Sequence, residues 1–288
     1  MKSKITILII ILLLGHANSI HAQNGDAEAY NSMGAAYYEL KNYPEAITCY
    51  QKALTIDPNY ADAYYNMGIA YYELGNYTKA IACCQKAVKI NPNHAVAYFF
   101  MGDVYYKQKN YTKAIAIYKK SVYINPTSAE VYNNMGNTYG KLGNYTEAIA
   151  CYQKAIDINP TYAKAYSHMG YAYLIKKNHT KGIACLQKAV EIDPNEAAAY
   201  INMGNAYSEL KNYTKAIRCY KKALDINPTD TDAYNNMGVN IHAEAYYNMG
   251  IVYDGLGNYP EARDCYQKAA RFGIKEAQVW LKENGYKW

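Results

Sequence analysis

Little in this 288-residue chain equips it for catalysis. It has no glycine-rich phosphate loop, no HExxH helix and no isolated pair of carboxylates, which leaves nucleotide hydrolysis, zinc-assisted hydrolysis and general acid–base chemistry without support. Histidine is scarce too. His94, His168, His179 and His242 are the four beyond residue 22; none has a second ligand at i+3 or i+4, and none is paired with a Ser or Cys nucleophile. No catalytic residue, metal or cofactor is therefore expected.

Long apolar runs are missing as well. The best, Ile5 to Leu14, spans ten residues interrupted by Thr6, half of the roughly 20 that a membrane-crossing helix needs. Behind the basic Met1-Lys2-Ser3-Lys4 and ahead of Ile20-His21-Ala22, this run reads as a secretory signal peptide over residues 1–22, cut after Ala22, with 23–26 a short linker. Ala17 and Ser19 are weaker cleavage positions, and an uncleaved N-terminal anchor is the competing reading. The mature protein is expected to be exported without stable membrane insertion: periplasmic or secreted in a bacterium, luminal or extracellular in a eukaryote. No Cys follows the cleavage site to take a lipid.

A charge of one sign is lacking. Removing the leader lowers the net charge from +6 to +4, with 28 basic residues against 24 acidic ones. The charges are spread along the chain and build no basic stripe, which excludes nucleic acid as a partner. Lys119-Lys120 and Lys221-Lys222 read as a solvated outer face.

What the chain does have is a period of 34 residues. In 61–94, Tyr64, Met67, Gly68 and Tyr71 are followed by Ala80, Cys84 and Ala87, with Asn91-Pro92 closing the block; Tyr98, Met101, Gly102, Tyr105, Ala114, Tyr118 and Pro126 repeat the arrangement. At about 100° per residue, positions 4, 7, 8 and 11 form one apolar stripe and positions 20, 24 and 27 another. Each block is thus a pair of helices around a turn such as Gly75-Asn76-Tyr77-Thr78. A glycine inside a helix costs about 1 kcal/mol relative to alanine, so its return at position 8 implies a close helix approach facing Ala80 and Ala87. Blocks that bury their stripes only against neighbours form a solenoid array.

The pattern resembles the tetratricopeptide repeat, with Tyr for the family's frequent Trp at position 4 and Met for Leu at position 7. The resemblance implies an all-α fold, a right-handed α-solenoid of tandem helix-turn-helix repeats. Six repeats cover 27–60, 61–94, 95–128, 129–162, 163–196 and 197–230; 231–242 is a partial duplicate of a first helix, 243–273 a seventh repeat, and 274–288 a capping helix with its tail. A single helix is predicted from Thr231 to Asp254, distorted near Val239 to Ala243. Trp280 is expected to cover the last repeat.

The odd set of seven cysteines sits at position 23 of six repeats, plus Cys84. Stacked helices lie roughly 8–10 Å apart, beyond the ~7 Å that a disulfide spans, so the thiols read as reduced packing residues, with an intermolecular bridge left open. The methionines at position 7 are core. Asn-x-Thr at Asn76, Asn110, Asn144, Asn178 and Asn212 is either a set of glycosylation acceptors or, as preferred here, turn chemistry in which Asn turns the chain and Thr caps the next helix.

In the family the first helices line a concave groove that takes extended peptides or partner helices. Mapped onto this sequence, that face offers Asn66, Phe100, Asn134, His168 and Asn202 at position 6, Asp103, Asn137 and Asn205 at position 9, and Tyr38, Tyr72 and Tyr106 at position 12. Amides both donate and accept and could pair with a peptide backbone; otherwise they merely solvate the face. The family's carboxylate clamp is not matched, because position 5 carries no lysine. The expected function is a non-enzymatic scaffold for a protein or peptide partner. The alternative is a glycan or small molecule cradled by Phe99, Phe100, Tyr72 and Tyr106.

Overall fold

The computed structural model describes residues 26–226 and 241–288. Among them are fifteen helices and no strand. They run α1 Ala27–Glu39, α2 Tyr43–Ile56, α3 Ala61–Glu73, α4 Tyr77–Ile90, α5 Ala95–Lys107, α6 Tyr111–Ile124 and α7 Ala129–Lys141. They continue as α8 Tyr145–Ile158, α9 Ala163–Ile175, α10 His179–Ile192, α11 Ala197–Glu209, α12 Tyr213–Ile226, α13 Ile241–Gly255, α14 Tyr259–Arg271 and α15 Lys275–Glu283. The described residues form two compact halves, one ending at Leu142 and the other beginning at Gly143. In each half, helices pack pairwise in tandem, the all-α arrangement that the repeat pattern predicts.

The turns explain the helix ends. In repeat 2 the Asn76 N–H donates to the Tyr71 carbonyl and the Gly75 N–H to that of Tyr72, both at 2.8 Å, while Gly75 adopts φ +74°. This is a Schellman stop, which needs a left-handed residue after the helix. Repeats 1, 3, 5 and 6 put Lys41, Lys109, Lys177 and Lys211 in that conformation instead. The following helix starts on the asparagine: the Oδ1 atoms of Asn76, Asn110, Asn178 and Asn212 accept the N–H of Lys79, Lys113, Lys181 and Lys215. The cap is therefore Asn and not Thr, a correction to the sequence reading, because Thr already lies inside the first turn. At the other end of each repeat, Asp57, Asn91, Asn125, Asn159 and Asp193 accept the N–H two residues on, holding the Pro-containing loop.

The core is built of small residues on close helices. Ala80, Ala87, Ala63 and Ala70 are fully buried. A Cβ on Gly68 would lie 3.2 Å from the Ala80 carbonyl oxygen and from Cys84 Sγ, and one on Gly102 would reach 2.5 Å from the Tyr118 ring. The glycines at position 8 are thus set by helix approach, as their spacing implies. Core clusters join neighbouring repeats, for example Tyr50 with Met67 and Cys83, and Tyr220 with Met249 and Val252. All seven cysteines are free, six buried and Cys185 partly so.

At the C-terminus, α15 closes the last repeat. Ala277 and Leu281 are fully buried, the Trp280 ring lies 4.3 Å from that of Tyr266, and Trp280 Nε1 donates to Asp254 at 3.2 Å. Gly273 turns the chain before it with φ +91°. Trp288 is exposed. The signal peptide, and the portion 231–240 of the predicted long helix, lie outside the described residues; from Ile241 onward that stretch is helical.

Candidate functional site

The polar and aromatic side chains of the first helices fall into three layers, the first two of which hold the residues singled out for a groove. Deepest is a set of hydrogen bonds between consecutive repeats. Asn134 Nδ2 donates to Asp103 Oδ1 at 3.1 Å, and the same oxygen accepts the Tyr118 hydroxyl at 2.5 Å. Three repeats on the motif recurs: Asn248 Nδ2 and the Tyr220 hydroxyl both donate to Asn205 Oδ1, at 2.9 and 2.8 Å. A second-helix tyrosine at position 24 thus anchors position 9 of its own repeat, which holds position 6 of the next. The sequence carried a signal for this in the Asp or Asn at position 9 of repeats 3, 4 and 6 (Asp103, Asn137, Asn205), but not in the position-24 tyrosine alone, since Tyr50 and Tyr266 share their repeats with Ala35 and Ile251.

Other junctions use other chemistry. Repeat 1 has Ala35 at position 9, and Asn66 donates instead to Asn31 Oδ1 at 3.0 Å. Between repeats 2 and 3, Phe100 replaces the asparagine and packs edge-on against Tyr65 and Tyr72, with ring centres 6.0 and 5.5 Å apart; Phe99 lies against Tyr118. Asn66, Phe100, Asp103, Asn134 and Asn205 therefore all join repeats. Asn137 and Asn202 are half-buried on α7 and α11.

Burial sets the acid–base character of this layer. It pushes the Asp103 carboxyl up to about 6, against the opposing effect of its two hydrogen bonds. It holds His168 down to about 4, helped by Lys164, so that imidazole is neutral at pH 7 and a poor base. Burial likewise pushes Cys83 up to about 11 and Cys84 to about 12, which keeps both thiols protonated and unreactive. Among the described residues no three His, Cys, Asp or Glu side chains converge as metal ligands, and no helix is long and apolar enough to cross a membrane.

The second layer is aromatic and lies at the C-terminal ends of α1, α3 and α5. Tyr38 pairs with Tyr43, Tyr72 with Tyr77 and Tyr106 with Tyr111, at centroid distances of 5.4, 5.3 and 5.5 Å and inclinations of 54°, 46° and 57°. All six rings are partly exposed. The position-17 partners were not picked out from the sequence, although Tyr recurs there.

The third layer is the outer side. Lys52, Lys86, Lys120 and Lys268 sit over the rings of Tyr30, Tyr64, Tyr98 and Tyr246 at position 4. Lys79, Lys113, Lys181 and Lys215 cover Tyr71, Tyr105, Tyr173 and Tyr207 at position 11. Each contact is worth about 0.5–1 kcal/mol. Of the four lysines read as a solvated outer face, Lys120 is thus packed on a tyrosine ring.

Comparison with known proteins agrees with this architecture. A family model described as tetratricopeptide repeat matches residues 61–94, 129–162, 197–230 and 243–272. A TPR repeat model matches 34–75, 102–143 and 170–211, and a further tetratricopeptide repeat model matches 83–116 and 151–184. Together they span 34–230 and 243–272. No curated protein matches the chain. Among solved structures, MamA (residue 41 to the end) from Desulfovibrio magneticus RS-1 is 26% identical over 59% of this chain and 96% of that one, with TM-score 0.54. The C-terminal part of a TPR repeat-containing protein from Cytophaga hutchinsonii is 21% identical over 86% of this chain and 98% of that one, with TM-score 0.67. YrrB, a TPR protein with an unusual peptide-binding site, is 23% identical over 66% of this chain and 98% of that one, with TM-score 0.54.

Proposed function

The chain belongs to the tetratricopeptide repeat family, a protein-interaction scaffold, and on that premise we propose that it captures a segment of a partner protein on its first-helix face, outside the cytoplasm and without catalysis. The observation that carries this reading is the second layer. Tyrosines at position 12 are partly exposed on consecutive first helices, where they present rigid apolar area with a polar tip. The asparagines play a smaller part than their sequence pattern suggests, since Asn66, Asn134 and Asn248 already donate to the preceding repeat.

Export rests on the basic start, the short apolar run and Ala22. It is tested by N-terminal sequencing of protein recovered from outside the cytoplasm, with Gln23 expected as the first residue.

Cross-linking and capture from the source cell's envelope fraction tests the scaffold. Replacing Tyr72 and Tyr106 together should abolish capture and leave helicity unchanged. Replacing Tyr123 and Lys119 on the outer side should have no effect. Capture lost only with the outer variants would reject the face assigned here.

A further inference from the structure

The turns between paired helices carry an acceptor motif that the fold explains only in part. N-linked glycosylation needs Asn, then any residue but proline, then Ser or Thr. The chain has this motif five times, at Asn76, Asn110, Asn144, Asn178 and Asn212, always in the inter-helix turn of repeats 2 to 6. Helix capping accounts for the asparagine, whose Oδ1 accepts a backbone N–H in four of the five turns. It does not account for the threonine. All five threonines are exposed. Thr146 accepts Lys176 Nζ at 2.6 Å, but the hydroxyls of Thr78, Thr112, Thr180 and Thr214 make no hydrogen bond among the described residues.

Two comparisons inside the molecule isolate that threonine. Repeats 1 and 7 have proline in its place, as Asn42-Tyr43-Pro44 and Asn258-Tyr259-Pro260. Their turns are the same: Asn42 has φ −94° and ψ 71° and Asn258 −91° and 70°, against −88° and 71° for Asn76. The turn therefore has no need of a hydroxyl there. The second comparison is with the loops that close repeats 3 and 4, Asn125-Pro126-Thr127 and Asn159-Pro160-Thr161. In these the threonine hydroxyl donates to the asparagine Oδ1, at 2.8 and 2.9 Å, and the central proline disables the acceptor motif. Where threonine is tied into a loop the motif is blocked; where the motif is intact, four threonines of five are left unbonded.

The asparagines are also presented in a usable state. A glycan attaches through Nδ2, and among the described residues none of the five Nδ2 groups donates a hydrogen bond. Resting on the export reading above, we propose that Asn76, Asn110, Asn144, Asn178 and Asn212 are N-glycosylation sites, each taking an oligosaccharide from a polyprenyl diphosphate carrier in a secretory lumen. Nδ2 bonds to the anomeric carbon of the first sugar and gives up a proton. The bond from that carbon to the carrier oxygen breaks, and the lipid diphosphate leaves with the electron pair. The product amide keeps its carbonyl, so the Oδ1 caps survive. Repeats 1 and 7, with Pro44 and Pro260, stay bare.

The test uses the full chain recovered from outside the cytoplasm of its source cells. Treatment with peptide N-glycosidase in heavy-oxygen water, followed by peptide mass mapping, should turn the five asparagines into labelled aspartate and leave Asn42, Asn125, Asn159 and Asn258 untouched. Thr78→Ala made in the same cells should lose one glycan of the five, and Thr78→Ser should keep it, with helicity unchanged in both. Unmodified asparagines on a chain that begins at Gln23 overturn the proposal and leave export standing. Unmodified asparagines on a chain that begins at Met1 overturn both, whereas glycans on such a chain uphold the proposal and reject only cleavage after Ala22. Sugar released by alkali but not by the glycosidase overturns the proposal, as does a Thr78→Ala chain that keeps all five glycans.

Discussion

Asp103→Asn should make the protein more stable at neutral pH and remove one component of its pH dependence. The native carboxyl titrates at about 6 because burial disfavours its charged form, against an ordinary 3.8. Between these values the folded chain binds a proton that the unfolded chain has released, so stability falls as pH rises from about 4 to 6 and stays lowered above that. Two pKa units correspond to about 3 kcal/mol, and the realised penalty at pH 7.5 should be on the order of 2–3 kcal/mol. The amide has a precedent inside the molecule, since Asn205 takes the same two hydrogen bonds on one oxygen. Urea titrations of wild type and Asp103→Asn from pH 4 to 8, with amide hydrogen exchange followed in α5 to α7, measure the difference. The two proteins should be nearly equal at pH 4 and diverge towards pH 7, with the variant ahead. A constant gap across that range, or a variant less stable at pH 7.5, would refute the claim that Asp103 is held against its charge.

His168 gives the opposite slope. Its folded value of about 4 lies below the ordinary 6.5, so stability present above pH 6.5 is lost as the unfolded chain takes up a proton. His168→Asn, the residue of position 6 in several repeats, should spare about 2 kcal/mol at pH 5 relative to wild type, read from the same titrations. Gly102→Ala gains about 1 kcal/mol of helix propensity but sets a methyl 2.5 Å from the Tyr118 ring; overpacking of 1–3 kcal/mol should win and lower the urea midpoint. Gly255→Ala, with open space around it, should raise the midpoint. Lys109→Gly relieves a left-handed residue at φ +61°, and thermal melts should show stabilisation of roughly 0.5–1 kcal/mol.

The repeat architecture was legible because a strict period of 34 residues fixes both helices and their buried stripes, and because a glycine returning at mid-helix has few explanations other than close approach. The fate of the polar residues was not. An asparagine that both donates and accepts is equally suited to a peptide backbone and to a neighbouring repeat, and Asn134 and Asp103, 31 residues apart, meet only once the helices stack. Lys120, read as solvated but lying over the Tyr98 ring, was misjudged for a related reason. A half-exposed tyrosine gives a cation a ring face that a fully buried one does not, and the burial of Tyr64 and Tyr71 is incomplete. The asparagine cap was readable from its place one residue before the helix; Thr was favoured although it falls within the first turn.

Polar junction bonds of about 0.5–1.5 kcal/mol each are small beside the burial of residues such as Tyr118 or Met101. Their effect is instead to make the junctions unlike one another: Asn66 on Asn31, an aromatic cluster around Phe100, Asn134 on Asp103, Asn248 on Asn205. Repeats this similar present nearly interchangeable apolar stripes, and a chain that swapped one neighbour for another would bury much the same area. It would also set Phe100 where an amide is needed, or Ile69 where an oxygen is needed, and leave a donor unpaired at 1–3 kcal/mol. Positions 5, 6, 9 and 24 are thereby committed to specifying which repeats meet. In the first three repeats position 12 takes part in two junctions, through the long contact of Tyr38 with Glu73 and the packing of Tyr72 on Phe100, yet it becomes Gly140, Leu174, Ser208 and Asp254 afterwards. The ends of the first helices thus tolerate different residues within one repeat fold, and that is where the tyrosine pairs stand.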